Sequence, residues 1–328
     1  INECLVERYL LIFYTNCDAV IALNKIVEKE IRHFGYSGRM FTIPNGRDLG
    51  LYHSVQYADI STKEKQLAFV GFLSKRKNQQ YLMEVMKYLP PGYHLQLVGD
   101  PLVPEYLDEL KRIVSQNHLN VTFCGKLEQK EIASLLENTH VFVSASKMEV
   151  QSLVIIEALA SGTPVVGLTN ETISELVDNN NGACLPADTG PQSFAETIQK
   201  VCKLSPDKYT TLCNGARERV KDLDWSTVMI RTVESYDSTS NELAAKKESR
   251  HNREHLFKVI SSIPPGILHD ELTKIITSLD FVPKHHPPVS RKLVWLAFLN
   301  MAASTAGYYI LKGPVHLVRM LTREKKNL

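Results

Sequence analysis

Two glutamates lie eight positions apart in the stretch KMEVQSLVIIEALASGTPVV, residues 147–166. Glu149 precedes the apolar run LVII, and Glu157 follows it. A carboxylate accepts hydrogen bonds from hydroxyl groups, and a vicinal diol can give it two. The pair could therefore bind hydroxyl-rich groups at two nearby points. For an isolated pair, the alternative is a solvated helix residue at Glu157 and a loop charge at Glu149.

The residues around the glutamates carry the signals of a short helix. Ser152 is a good N-cap residue, so we predict a helix that begins near Leu153. Gly162 suits the position just past the end, and Pro164 prevents continuation. The unpaired N–H groups of the first turn then lie between the two glutamates and form a site for an anion. Such a site suits a molecule with phosphates between two hydroxyl-rich sugars.

Short apolar runs alternate along the chain with helical patterns of about ten to fifteen residues. Apolar runs of this kind are typical of a parallel sheet that helices cover on both faces, so we predict an α/β fold. In such sheets, ligands bind beyond the carboxyl ends of the strands. The loops to examine are those after Val70, Val98, Phe123 and Val143.

Composition narrows the classes of protein. The chain has 328 residues, a net charge of +2 and 44% hydrophobic residues. These values indicate a globular protein, with a prior of two domains and no sign of a nucleic-acid partner. The six cysteines contain no C-x-x-C pair, so we predict reduced thiols in a cytosolic compartment. G-x-G-x-x-G and G-x-x-x-x-G-K-[ST] motifs are both missing from the sequence, so dinucleotide and P-loop sites lack support.

Residues 18–236 resemble the family 4 retaining glycosyltransferases of the GT-B fold, the glycosyl transferases group 1 type. The segment EVQSLVIIEALASGTPVV is similar to the family signature of two glutamates separated by seven residues. The other similar segments are, in order, CDAVIALN, IPNGRDLGLY, FVGFLSKRKN, LQLVGD, VTFCGKLEQKEIASLLENTHVFVSAS and DWSTVMIRTVESY. The resemblance implies one complete Rossmann-like nucleotide-binding domain, a remnant of the first domain and a helical C-terminal tail.

The resemblance also implies a role for each residue of the motifs. Glu157 would bind the ribose hydroxyls of a nucleotide-sugar donor, and Glu149, the catalytic residue, would hold hydroxyls of the transferred sugar. Lys77 would neutralise the diphosphate, and Gly71 would let the backbone approach it. The remaining donor contacts would be the N–H groups of Ser152 and Leu153 at the diphosphate and the backbone near Lys126 and Leu127 at the base.

Sugar transfer needs a diphosphate leaving group that is stabilised as charge develops on it. A lysine and a helix N-terminus can do this without a metal ion. We therefore predict no metal and no cofactor, because the nucleotide sugar is itself a substrate.

The chain departs from the family pattern in two loops. Phe72 stands where arginine is usual, and Arg76 or Lys75 would have to replace that charge. Val150 and Gln151, followed by serine, stand where Gly-Phe-Gly is usual. The leading function is a glycosyltransferase that uses a UDP- or GDP-sugar with retention. The alternative is a catalytically impaired sugar-nucleotide-binding or scaffold subunit, and a GT-B phosphorylase ranks last.

The chain begins at Ile1 and shows only the last strand-helix-strand part of the family's first domain. We therefore expect a truncated chain that binds donor poorly and does not turn over. The predicted segments are 1–48, the first-domain remnant and hinge; 49–224, the nucleotide-sugar domain; 225–240, a crossover helix; 241–292, a charged linker with short helices; and 293–328, a membrane-associating tail.

Residues 293–311 contain no charged side chain, and basic residues flank them on both sides. The length is within the range that crosses a bilayer. Basic flanks on both sides argue instead for a hairpin or for a helix lying in the membrane interface. A buried helix of a soluble protein is the alternative. Membrane contact would place the protein at the cytoplasmic face of a membrane, with a sugar or lipid-linked acceptor.

Overall fold

The computed structural model describes Tyr14 and residues 17–52 and 57–245. These residues form two compact units. The larger consists of Ala22–Glu28 and Thr42–Glu234. The smaller holds, among the described residues, Tyr14 and residues 17–21, 29–41 and 235–245. The predicted linker beyond residue 245 and the predicted tail at 293–328 lie outside the described residues.

A two-stranded sheet lies near the start of the described chain. It consists of β1 (Ala19–Ala22) and β2 (Arg39–Thr42), which α1 (Lys25–His33) connects. The predicted strand at 18–23 corresponds to β1. Asn24 directly precedes α1, and its side-chain Oδ1 accepts a hydrogen bond of 2.8 Å from the N–H of Val27.

A six-stranded sheet forms the centre of the larger unit. Its order is β5-β4-β3-β6-β7-β8, and every neighbouring pair is parallel. The predicted parallel sheet is therefore confirmed. The strands are β3 (Lys65–Val70), β4 (Tyr93–Val98), β5 (Val121–Gly125), β6 (Val141–Ser144), β7 (Val165–Leu168) and β8 (Gly182–Leu185).

Helices alternate with these strands, and short 3₁₀ helices occupy Leu49–Tyr52 and Lys221–Leu223. The remaining described helices are α2 (Gln79–Met86), α3 (Pro104–Gln116), α4 (Gln129–Glu137), α5 (Leu153–Ala160), α6 (Glu171–Leu176), α7 (Pro191–Cys202), α8 (Pro206–Val220) and α9 (Trp225–Ala245).

Two hydrophobic clusters cover the faces of the sheet. Successive residues of β3 point to opposite faces, so Leu67 and Phe69 belong to one cluster and Ala68 and Val70 to the other. The prediction of purely apolar strands holds for β6 and β7, which are buried throughout. It is wrong for β4, in which buried and partly buried residues alternate over most of the strand. It is also wrong for β5, which lies at the sheet edge and is only partly buried.

The strand order changes direction between β3 and β6. The chain runs outward from β3 to β5 and then returns to place β6 on the other side of β3. The loops that leave the carboxyl ends of β3 and β6 therefore diverge and open a crevice, which is where open α/β sheets bind ligands. Lys77 follows β3 and Glu149 follows β6, so the topology brings two predicted site residues to this crevice.

Candidate active site

The helix predicted between the two glutamates is α5, and its first turn differs in one detail from the prediction. Ser152 is the N-cap residue with extended backbone, but its side chain makes no capping hydrogen bond. Its N–H donates instead to Thr172 Oγ1 at 2.9 Å. The predicted contact of this N–H with a diphosphate stays a prediction, and it requires the Thr172 hydroxyl to turn away. Leu153 and Val154 lie in the first turn, where a helix leaves N–H groups without an intrahelical acceptor.

The end of α5 is as the sequence predicts. Gly162 has φ +78°, a left-handed conformation that favours glycine. Its N–H donates to the carbonyl of Leu159, and the N–H of Thr163 donates to the carbonyl of Ala158, both at 2.9 Å. These two bonds form a Schellman motif. The motif ends α5 after two turns and so fixes where Glu157 lies on it.

Glu149 is buried, 8% exposed, and lies against two cations from the loop after β3. Its Oε1 pairs closely with Lys77 Nζ and lies 3.6 Å from Arg76 Nη1. Arg76 also donates to the carbonyl of Met148 at 2.9 Å. The structure therefore brings Lys77 and Glu149 together. Arg76 reaches the same carboxylate, which fits the idea that it replaces the charge missing at Phe72.

Gly71 lies at the same point, where β3 ends. It has φ +146°, and a Cβ atom placed on it would lie 3.7 Å from Lys77 Nζ. Glycine therefore leaves the space beside the lysine ammonium open. The close approach of backbone and ligand at Gly71 stays a prediction.

Glu157 is 1% exposed, and its Oε1 pairs with Arg47 Nη2. Burial raises the pKa of the Glu157 carboxyl group, and the charge and hydrogen bond of Arg47 act in the opposite direction. The Tyr52 side chain is buried beside the pair and influences the pKa of Glu157. Its hydroxyl nevertheless makes no hydrogen bond of regular geometry with the described residues. The alternative of a solvated helix residue and a loop charge is wrong, because both glutamates are buried.

Hydrogen bonds connect the loop between β6 and α5 to other parts of the larger unit. Asn24 Nδ2 donates to the carbonyl of Val150 at 2.7 Å, and Gln151 Oε1 accepts from the N–H of Asn45 at 2.6 Å. The N–H of Glu149 donates to Glu171 Oε2 at 3.1 Å. Val150 and Gln151, the two departures from the family pattern, thus connect this loop to the segments around residues 24 and 45.

The predicted base-reading segment lies farther along the carboxyl edge, after β5. Gly125 has φ +67° and its carbonyl accepts from the N–H of Gly99 at 2.7 Å. Lys126 is exposed and Leu127 is partly buried against the second hydrophobic cluster. Contact of their backbone with a base stays a prediction.

Sequence reasoning missed Arg47 as a site residue. It lies in the IPNGRDLGLY segment, which the sequence indicates only as a hinge. An arginine directly after an Asn-Gly turn is the one available signal, and it does not name Glu157 as the partner. Glu171 and Thr172 were also missed, because nothing near them in the sequence indicates that they bind the N–H groups of Glu149 and Ser152.

Within residues 17–52 and 57–245, no group of three or more His, Cys, Asp or Glu side chains is arranged to hold a metal ion.

The same described part of the chain has no helix that is both long and apolar enough to cross a membrane. The predictions of metal-free chemistry and of membrane contact both stay predictions.

Comparison with known proteins gives a family match over residues 55–219, half of the chain, to Glycosyl transferases group 1. Glycogen synthase of Mycobacterium tuberculosis is 29% identical over 210 residues, which are 62% of this chain and 48% of that protein. A GDP-mannose-dependent alpha-mannosyltransferase of Corynebacterium glutamicum is 25% identical over 230 residues, 67% of this chain and 52% of that protein. The chain spans about half the length of the curated relatives it matches.

Solved structures agree on the fold. Sucrose-phosphate synthase from Thermosynechococcus elongatus superposes with a TM-score of 0.62 at 25% identity, covering 71% of this chain and 62% of that one. Anabaena HepE in complex with UDP gives a TM-score of 0.60 at 26% identity, with coverages of 68% and 64%. From the family match and the parallel sheet shared with GT-B structures, we conclude that the chain belongs to the glycosyl transferases group 1 family.

Proposed function

We propose that the larger unit binds the donor of a retaining glycosyltransferase, a UDP- or GDP-sugar. The observation that carries the proposal is the pairing of Lys77 with the buried Glu149 beside the start of α5. A buried carboxylate with an adjacent ammonium and free helix N–H groups can hold sugar hydroxyls on one side and a diphosphate on the other. HepE, which shares the fold, has been crystallised with UDP-glucose.

In this proposal, each part of the crevice has one task. Lys77 and the first N–H groups of α5 stabilise the diphosphate as it leaves, without a metal ion. Glu149 holds and orients the sugar that is transferred. Glu157 binds the ribose hydroxyls, and the backbone near Lys126 and Leu127 contacts the base.

A sugar-nucleotide-binding subunit without transfer activity is the second candidate. It is favoured by the interactions that already engage the crevice, since both glutamates are paired and the N–H of Ser152 donates to Thr172. A screen of UDP- and GDP-sugars for transfer to sugar and lipid-linked acceptors, carried out with a complete first GT-B domain joined ahead of this chain, distinguishes the two candidates. Product from any donor supports the enzyme, and nucleotide binding without product from the complete panel supports the binding subunit.

We further propose that the acceptor is a sugar or a lipid-linked molecule at the cytoplasmic face of a membrane. Among the relatives are an alpha-monoglucosyldiacylglycerol synthase and a phosphatidylinositol dimannoside mannosyltransferase, whose names contain lipids. Deletion of residues 285–328 should release the protein from anionic vesicles while nucleotide binding persists. Co-sedimentation with vesicles measures this, and an intact chain that ignores the vesicles would contradict the proposal.

A further inference from the structure

The Glu157 carboxylate is almost inaccessible to solvent, and the charged group paired with it, Arg47, is the more exposed of the two. The Glu157 side chain is 2% exposed, whereas the side chain of Arg47, its ion-pair partner, is 25% exposed. A ligand that approaches the pair from solvent therefore meets the Arg47 guanidinium as well as the carboxylate. Whatever binds at Glu157 must satisfy both groups.

Arg47 reaches Glu157 from a fixed backbone. The Arg47 N–H donates to the carbonyl of Leu223 at 2.9 Å, and the Arg47 carbonyl accepts from the N–H of Trp225 at 2.8 Å. A parallel bridge to Asp224 lies between these two bonds. Because the backbone N–H and carbonyl of Arg47 are both hydrogen-bonded, only its side chain is left to reorient when a ligand binds.

The pair has the hydrogen-bonding groups that a vicinal diol needs. A diol carries two hydroxyl protons and two oxygens that accept, whereas a carboxylate only accepts and a guanidinium only donates. The ion pair joins one carboxylate oxygen, Oε1, to one guanidinium nitrogen, Nη2. The other carboxylate oxygen and the other guanidinium nitrogens are the groups of the pair with which a diol could bond.

We propose that Arg47 and Glu157 together bind the ribose hydroxyls of the nucleotide, with Arg47 donating to the hydroxyl oxygens while Glu157 accepts the hydroxyl protons. This inference rests on the proposed function. It assigns a binding role to Arg47, a residue in the turn after β2, and makes the ion pair part of the site.

Arg47 also favours the ionised form of Glu157, which accepts hydrogen bonds. Burial raises the pKa of the Glu157 carboxyl group, and Arg47 lowers it. Arg47 and Tyr52 are the groups found to act on this carboxyl group among the described residues. Two charged side chains of α8 interact elsewhere, Arg217 with the carbonyl of Ser161 and Arg219 with the carbonyl of Glu175. Removal of Arg47 therefore raises the pKa of Glu157 further.

Calorimetric titration of the full chain tests the proposal, with UDP and GDP as probes and their 2′,3′-dideoxy analogues as matched ligands. Arg47→Met should weaken binding of the ribonucleotide about tenfold, the loss expected for one charge-assisted hydrogen bond. The dideoxy analogue should lose much less, because it lacks the hydroxyls. Arg47→Lys, which keeps the charge but not the forked donors, should fall between the parent and Arg47→Met for the ribonucleotide.

A pH series adds a readout that a structural role would not change. Acidification should weaken nucleotide binding by Arg47→Met more than by the parent, because the carboxyl group that has lost its cationic partner gains a proton at a higher pH. Arg219→Met, which removes an arginine from α8, is the matched control and should behave as the parent in both experiments. If Arg47→Met does not fold, Arg47→Lys is compared with the parent on the same ligands.

Three results would overturn the inference. Unchanged or tighter ribonucleotide binding by Arg47→Met would show that Arg47 contributes nothing or competes with the ligand. Equal losses for the ribonucleotide and its dideoxy analogue would show that Arg47 supports the fold only. A parent chain that binds neither UDP nor GDP would overturn the proposed function as well, and this failure is recognised before any variant is made.

Discussion

The two ends of β6 both carry buried polar side chains, but the groups that satisfy them differ. At the amino end, His140 Nδ1 accepts from the N–H of Gln66 at 3.0 Å, and its Nε2 lies 3.0 Å from the carbonyl of Asp59. Nearby, Lys65 Nζ donates to the carbonyl of Ile60 at 2.6 Å. Thr62 Oγ1 also lies 3.2 Å from His140 Nε2, so backbone groups and one neutral hydroxyl group surround the polar side chains at this end of the strand.

Beyond the carboxyl end, the two buried carboxylates pair with charged side chains from other segments. Glu149 pairs with Lys77, and Glu157 pairs with Arg47. A side-chain pair can reorganise around a ligand at less cost than a strand or turn can, because no backbone hydrogen bond has to break. We therefore interpret burial of a polar group as structural where the backbone satisfies it, and as a possible basis for binding where side chains of other segments pair with it.

The largest effect that would sharpen this contrast is expected from Lys77→Met. A phosphate contact with the ammonium should be lost, so binding of UDP or GDP should fall by roughly ten- to a hundredfold. The bare nucleoside has no phosphate and should lose little. Isothermal titration with nucleoside, monophosphate and diphosphate measures the difference.

Lys111→Met is the control, since it removes an exposed lysine from α3. Equal losses for nucleoside and diphosphate would place Lys77 away from the phosphates and make Arg76 the next candidate.

A smaller effect is expected from Glu149→Gln, which removes the charged acceptor that we propose holds the sugar. Affinity for a UDP- or GDP-sugar should fall about tenfold, while affinity for the nucleoside diphosphate should not fall. The reason is that the lost acceptor faces the sugar and that Lys77 is freed from its counter-ion. Competition binding of the two ligands measures the ratio. Glu175→Gln, on α6, is the matched control, and a parallel loss for both ligands in Glu149→Gln would contradict the assignment.

The smallest effect is expected at the amino end of β6. Burial lowers the pKa of His140 below its ordinary value. The unfolded chain then binds a proton more readily than the folded one, so stability should decrease as the pH falls from about 6.5 toward the folded-state pKa. Urea unfolding at several pH values should show this slope in the parent and a shallower slope in His140→Gln. If nucleotide affinity depended strongly on His140, the amino end of β6 would also take part in binding, which would contradict the difference between the two ends.

The sequence predicts much of this arrangement from local signals. Apolar runs predict the buried strands, and Ser152, Gly162 and Pro164 predict where α5 begins and ends. The spacing of the glutamates then places one before the helix and one inside it. These features depend on neighbours in the chain, so a single sequence contains them.

Contacts between distant segments could not be predicted in the same way. Arg47 pairs with Glu157 only because the turn after β2 lies over α5, and Thr172 binds Ser152 only because α6 lies beside the loop after β6. The partial exposure of β5 follows from its position at the edge of the sheet. Strand order decides that position, and no pattern within VTFCG encodes it.

The strand order also has a kinetic consequence. β3, β4 and β5 are neighbours in the chain, as are β6, β7 and β8, whereas the pairing of β3 with β6, such as Leu67 with Val141, closes a long loop. Loop closure makes such a contact slow to form compared with the local crossovers. We expect two halves of the sheet to assemble early and to join late. Because Lys77 belongs to one half and Glu149 to the other, the site comes into existence only at that last step, and nucleotide binding during refolding would report when the halves have joined.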